Sequence, residues 1–218
     1  MNWQKDGGPR GRKGYHHGNL REALIEAALK LISDKGLAGL SFAEAARSAG
    51  VSPAAPYRHY RDRDALLADV ARKGFEAFAD RLDAAWNEAR PDPAVAFERL
   101  GRAYLAFARE QPAYFSAMFE SGLDLAAYPE LRRAGDNAFE VLRSACETLA
   151  ASMPAERRPP AMMMALHIWA LSHGIATLFA RGDGARRSIP MTSDELLEAA
   201  TLIYLQGLGV EAGKDSDG

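Results

Sequence analysis

The sequence predicts an all-α protein of two helical domains and about nine helices. Three observations carry that reading. Apolar residues recur at the 3.6-residue helical spacing almost everywhere. No stretch alternates cleanly over strand length between Gly/Asn turn signals. Capping residues and helix breakers return at intervals of one helix length. The chain has 218 residues, 48% hydrophobic and 26% charged, which suits one long or two small ordinary globular domains and sets aside collagen-like or wholly disordered classes.

Taken in order, a first helix starts at the N-cap Asn19, buries Leu20, Leu24, Ala27, Ala28, Leu31 and Ile32, and stops at Gly36. Ser41-Phe42-Ala43-Glu44 is a capping box, and Gly50 ends the short helix it opens. Ser52 caps a third short helix with Pro53 at its first position. Asp62 caps a fourth that carries Leu66, Leu67, Val70, Phe75 and Phe78 toward Trp86. Arg90-Pro91-Asp92-Pro93 breaks the pattern. A helix from Asp92 to Gln111 follows, then a short one from Pro112 and a loop from Gly122 to Tyr128. Pro129 opens a helix to about Ser152, and the proline-rich connector 154–160 precedes a helix over 161–181. After a Gly182-Asp183-Gly184 turn, Thr192-Ser193-Asp194-Glu195 is a second capping box, opening a last helix with Leu196, Leu197, Ala200, Ile203 and Tyr204. The expected division is a flexible basic arm (1–14), an N-terminal domain (15–70), a C-terminal bundle (71–210) and an acidic disordered tail (211–218).

The single cysteine, Cys146, excludes an intrachain disulfide and any cysteine-rich zinc site. The opening residues are charged and glycine-rich with no apolar run, so a cytoplasmic protein is expected. The net charge of −2 hides a split: residues 1–75 hold 13 Lys/Arg against 8 Asp/Glu, and the remainder holds 14 against 21. A basic N-terminal third is suited to a polyanion, although a solvated basic face has the same composition.

The informative stretch is LSFAEAARSAGVSPAAPYRHYRDRDALL, residues 40–67. A capped two-turn helix, a tight Ala49-Gly50-Val51 turn and a second short helix are the parts of a helix-turn-helix, whose second helix enters the major groove of double-stranded DNA. The alternative is an αα-hairpin of a plain bundle. Against it, the second helix is weakly hydrophobic and presents Tyr57, Arg58, His59, Tyr60, Arg61 and Arg63, residue types that suit phosphate and base contacts.

This run, with the leading amphipathic helix, resembles the DNA-binding domain of the TetR family of bacterial transcriptional regulators over about residues 15–75. Ala49-Gly50-Val51-Ser52, Tyr57-Arg58-His59-Tyr60 and Ala65-Leu66-Leu67 carry the resemblance. It implies that Tyr57, His59 and Arg63 hold DNA phosphates. Three departures stand out. Pro56 removes an intrahelical donor, so the helix begins late or is locally tight, and Tyr60 replaces the usual Phe and leaves a polar tip needing a partner. Pro53-Ala54-Ala55-Pro56 offers no side-chain donor or acceptor for base readout. The remaining candidates are Arg58, the methyls of Ala54 and Ala55, and the arm residues Arg10, Arg12 and Lys13 in a minor groove. Ser41 and Ser52, at the two helix starts, complete the DNA-binding set.

In the C-terminal region Trp169 and His173 share a helix face, and Gly174 permits close approach of another helix. This W-x3-H-G run resembles the ligand-binding and dimerisation domain of one TetR subgroup. A buried core helix is the plain alternative. The ligand-binding candidates are Phe97, Tyr104, Phe107, Tyr114, Phe115, Met118, Phe119, Phe139, Trp169 and His173, an apolar wall with few polar groups. The helix over 161–181 is apolar nearly all round, but its histidines and Gly174 argue against a membrane span. Its second apolar side calls for a symmetry mate, so the expected homodimer interface is Met164, Ile168, Leu171, Ile175, Leu178, Leu197, Ile203 and Tyr204. Enzyme motifs are absent, no cofactor is implied, and His16-His17 without a third ligand makes a poor metal site. The reading is a transcriptional repressor released from a palindromic operator by a small apolar or aromatic ligand. Its rivals are an architectural DNA-binding protein without an effector and a helical carrier or enzyme.

Overall fold

The computed structural model describes residues 20–180 and 189–209. The expected arm, N-cap Asn19, turn at 182–184 and acidic tail lie outside the described residues. Eight α-helices form the described part, with no strand among them: α1 (Leu20–Lys35), α2 (Phe42–Ser48), α3 (Arg63–Trp86), α4 (Pro93–Glu110), α5 (Pro112–Phe119), α6 (Pro129–Ala151), α7 (Ala161–Ala180) and α8 (Ser193–Gly207). Most starts fall where capping residues place them. The side chains of Asp62 and Asp92 accept from backbone N–H groups of the first turns of α3 and α4. Thr192 and Glu195 form the full reciprocal capping box on α8. The box expected on α2 is half made: Ser41 accepts from the Glu44 N–H at 3.3 Å, while the Glu44 carboxylate takes the Lys35 ammonium at 2.5 Å instead.

The third of the nine expected helices, the one from Ser52, is replaced by a short 3-10 turn at Pro56–Arg58. The cause is chemical. Pro53 and Pro56 have no N–H, so the α-helical bond to the Ser52 carbonyl cannot form. Ala55, Arg58 and His59 donate three residues back, and Tyr60 alone donates four back, to Pro56. The loop 122–128 and the connector 154–160 each contain one similar turn, at Leu125–Ala127 and Ala155–Arg157.

Two apolar cores meet along α3. The first joins α1, α2, Tyr60 and the Leu66-Leu67-Val70 stretch of α3, and it extends to Ala117 of α5 and Leu131 of α6. The second joins Phe78 and Leu82 of α3 to α4 through α8 and contains Cys146, fully buried, whose thiol burial pushes up to about 12. Phe75 packs against both cores. Helix α7 is the one described helix long and apolar enough to cross a membrane. Its inner face is nevertheless committed to protein, since Met164, Ala165, Ile168, Ile175 and Ala176 are buried in the bundle.

Candidate DNA interface and effector pocket

The turn between α2 and the recognition segment is a Schellman close: Val51 N–H reaches the Ala46 carbonyl at 2.9 Å and Gly50 N–H the Arg47 carbonyl at 3.1 Å. Gly50 sits at φ 70°, which a side-chain-bearing residue adopts at a cost. This close projects the recognition segment so that Ser52, Ala54, Tyr57, Arg58 and His59 are exposed on one surface. Tyr57 is 64% exposed yet anchored, its ring edge-on to Phe42 with centroids 4.9 Å apart.

Two residues of the expected DNA-contacting set face elsewhere, and a third is engaged within the fold. Ala55 is buried beneath the turn, so its methyl is not presented outward. Tyr60 is 5% exposed, and its hydroxyl donates to Asp69 Oδ2 at 2.7 Å. Asp69 is itself buried and also accepts from Arg21 Nε at 2.7 Å and from Arg72 Nε at 2.9 Å. Burial raises the Asp69 carboxyl, but the bonds from Arg21, Tyr60 and Arg72 outweigh it and hold the group below its ordinary value. The third is Arg63. Its Nε donates to the Leu40 carbonyl at 2.9 Å and its Nη2 to the Leu37 carbonyl at 2.7 Å, tying the α1–α2 connection to the start of α3. A guanidinium engaged on two carbonyls and on Asp64 is a structural clamp first.

The C-terminal bundle contains a cavity of about 560 Å³ between α3, α4, α5, α6 and α7. Of the ten expected ligand residues, Tyr104, Met118, Phe119, Phe139, Trp169 and His173 line it. Phe97, Phe107 and Phe115 are buried in the surrounding core instead, and Tyr114 packs beside Gly74. Sequence reasoning missed Phe75, Phe78 and Leu82, which bring α3 itself into the wall, and the rim pair Arg132 and Asp136. At the polar end, the Tyr104 hydroxyl lies 3.0 Å from His173 Nδ1. The Trp169 ring lies beside them, its centroid 6.5 Å from that of His173. Burial raises the Tyr104 phenol well above its ordinary value and lowers the His173 imidazole, against the opposing pull of Glu120.

A second connection links the two halves. The Arg61 guanidinium lies 5.5 Å from the Tyr128 ring centroid and donates to its hydroxyl at 3.3 Å. Tyr128 stands between Leu125 and Leu131, both of which line the cavity.

Half of the expected dimer residues point inward. Met164, Ile168, Ile175 and Leu197 are buried within the one chain, and Leu171, Leu178 and Tyr204 are partly so. Of that set only Ile203, 70% exposed, faces out. The outward apolar residues are Met162, Met163 and Leu166 of α7 with Leu202 and Ile203 of α8, and Gly174 opens onto free space between neighbours. Among the described residues no cluster of three His, Cys, Asp or Glu side chains could hold a metal ion.

A helix-turn-helix joined through a long shared helix to a helical bundle defines a class of DNA-binding regulators. The comparisons place the chain within it. A sequence model described as bacterial regulatory proteins, tetR family, matches residues 24–70, and one described as tetracyclin repressor-like, C-terminal domain, matches residues 97–202. YobS of Bacillus subtilis, an uncharacterized HTH-type transcriptional regulator, is 28% identical over 100 residues, 46% of this chain and 51% of YobS. The HTH-type transcriptional regulator BetI of Rhizobium meliloti is 36% identical over 69 residues, 32% of this chain and 34% of BetI. The matches thus span about half of the first relative's length and a third of the second's. A solved protein of unknown function from Rhodococcus sp. RHA1 is 34% identical, with a TM-score of 0.76 over 90% of this chain and 98% of its own. FadR of Bacillus halodurans, a fatty acid degradation regulator, shares the fold at 14% identity, with a TM-score of 0.69 over 89% of this chain and 98% of that one. The chain belongs to the TetR family of bacterial transcriptional regulators.

Proposed function

We propose that the chain is a cytoplasmic, homodimeric repressor, without enzymatic activity, that leaves a palindromic DNA operator when a small apolar or aromatic molecule enters the bundle cavity. One observation carries the reading. The same helix, α3, is clamped at its first residue, Arg63, to the helix-turn-helix and forms part of the cavity wall at Phe75, Phe78 and Leu82, beginning about 18 Å further along. A ligand that spreads the wall tilts α3, and α3 carries the recognition segment with it. Two such segments in a dimer must sit about 34 to 36 Å apart to occupy successive major grooves, so a change in separation weakens binding. The ligand acts only by as much as it prefers the altered separation.

On DNA, Tyr57 and His59 take phosphates, Arg58 reads a base edge or a phosphate, and the arm residues Arg10, Arg12 and Lys13 follow the minor groove. Ser52 and Ala54 are the outward groups of the first turn; Ser41 serves as the α2 cap. The outward face of α7 and α8, centred on Met163, Leu166 and Ile203, is covered by a second copy of the chain. The cavity favours this reading over an architectural protein with a filled core.

Sequencing the duplexes that the full chain selects from random DNA tests the proposal. An inverted repeat with half-sites about one helical turn apart is expected. Enrichment of no common sequence would remove the operator-binding reading.

A further inference from the structure

We propose that the cavity selects apolar molecules that end in one hydrogen-bond acceptor, a carboxylate or a carbonyl, and that His173 Nε2–H takes that acceptor. The inference rests on the cavity being the effector site and specifies which chemistry it admits.

The argument follows the single proton of Tyr104. Burial keeps the Tyr104 phenol protonated. A phenol O–H is a stronger donor than an imidazole N–H, and a bare imidazole nitrogen a stronger acceptor than a phenol oxygen, so the hydroxyl proton goes to His173 Nδ1, at 3.0 Å. A neutral imidazole that accepts at Nδ1 must carry its proton on Nε2. Burial keeps the ring neutral by disfavouring its charged form. Phe115 stacks on the imidazole face at a centroid distance of 5.5 Å, and Phe119 meets it edge-on at 4.8 Å. With Nδ1 committed to Tyr104 and the ring held by two aromatics, Nε2 is the ring nitrogen left for a molecule in the cavity that His173 lines. The two groups form a relay, Tyr104 to His173, in which both donors point the same way. Hydrogen bonds so aligned polarise one another, which strengthens the terminal N–H as a donor.

The relay ends in a donor, and the walls beside it are aromatic and aliphatic apart from the Ser172 hydroxyl, while the Asp136 carboxylate stands out at the rim. Charges near the cavity bear on the choice between the two acceptors. Glu120 acts on the same imidazole and opposes a carboxylate there, whereas Arg132 on the rim favours one and Asp136 beside it does not. This is the pattern in which a buried polar group, placed to pair with one kind of ligand atom, rejects ligands that lack it.

Three probes with one phenylalkyl body separate the possibilities: phenylbutanoate, benzylacetone and phenylbutylamine, titrated calorimetrically into the full chain. Binding of the acid or the ketone at least about tenfold tighter than the amine is expected, and His173→Phe should bring the three within about threefold. Which of the two acceptors binds tighter decides between carboxylate and carbonyl. Tyr104→Phe, which removes one oxygen and frees the tautomer, should shrink the preference while the thermal midpoint shows the chain still folded. Nitrogen NMR of the His173 ring should find Nε2 protonated and Nδ1 bare in the unliganded protein; the opposite tautomer overturns the inference. So does an amine that binds as well as the acid and ketone, with the effector reading left standing. An acid preference that survives His173→Phe and disappears in Arg132→Gln places the acceptor at the rim and also overturns it. Failure of every probe to bind removes the effector reading and this inference with it.

Discussion

The Tyr60 hydroxyl and the Asp69 carboxylate meet at 2.7 Å inside the N-terminal core, and through that contact the last residue of the recognition segment is fastened nearly two turns down α3. The family's usual Phe at this place would leave Asp69 with only its arginine partners. The orientation of the DNA-facing turn therefore depends on a buried acid that also holds Arg21 of α1 and Arg72 of α3.

Tyr60→Phe should cost about 1 kcal/mol of stability, the net worth of one buried hydrogen bond. Asp69→Asn should change the pH dependence as well. Because Asp69 stays ionised to lower pH in the folded chain than in the unfolded one, its contribution is complete above the ordinary carboxylate range and drains away as pH falls through the depressed folded value. Urea midpoints measured from neutral to acid pH should fall less steeply in Asp69→Asn. An unchanged slope would show that Asp69 does not carry this dependence.

Arg63 and Arg58 should separate in their response to salt. Arg58→Ala removes an exposed cation from the DNA-facing surface and should lower the slope of log affinity against log salt by about 1. Arg63→Ala releases the Leu37 and Leu40 carbonyls and should lower the melting temperature and weaken DNA binding with the slope unchanged. A slope reduced equally by both variants would return Arg63 to the phosphate contacts.

Tyr128→Leu tests the second connection between the cavity and the recognition segment. Loss of the Arg61 contact should reduce, by several-fold, the ratio of operator affinity without and with ligand. Ligand affinity measured in the absence of DNA should hardly change, since Tyr128 does not itself line the cavity. An unaltered ratio would leave α3 as the only route.

Ile203→Glu and Met164→Glu should have opposite consequences. The first places a charge on an exposed apolar face and should give folded monomers by ultracentrifugation, with operator binding lost. The second buries a charge at a fully enclosed position and should unfold the bundle. Dimers persisting in Ile203→Glu would move the interface elsewhere.

What could be read from the sequence was local. Helix starts at Asp62, Asp92 and Thr192 follow from side chains that cap their own first turns, and these stand where expected. The recognition helix is broken by another local cause, the Pro53/Pro56 pair, from which the sequence predicts a late or tight start and the structure shows a single 3-10 turn. Nothing nearby in sequence announces Asp69 as the partner that the Tyr60 hydroxyl needs, or the Leu37 and Leu40 carbonyls as partners of Arg63. Helix α7 shows a third kind of ambiguity. Met163 and Met164 are neighbours of one residue type, one exposed and one buried, and an all-round apolar pattern does not orient such a helix. The cavity was anticipated from aromatics on α4, α5, α6 and α7, while the α3 wall was hidden among residues that look like ordinary core.

Cys146 turns the bundle core into a clock. It is the chain's single thiol, it is fully enclosed, and its raised pKa leaves very little thiolate at neutral pH. An alkylating reagent can therefore modify the protein only in those moments when the second core comes apart, and the labelling rate counts them. A ligand seated in the adjacent cavity should slow that count in proportion to its occupancy, even before any operator or natural effector is known. One native side chain thus reports, without added dye or tag, how often the sensing half of the molecule opens.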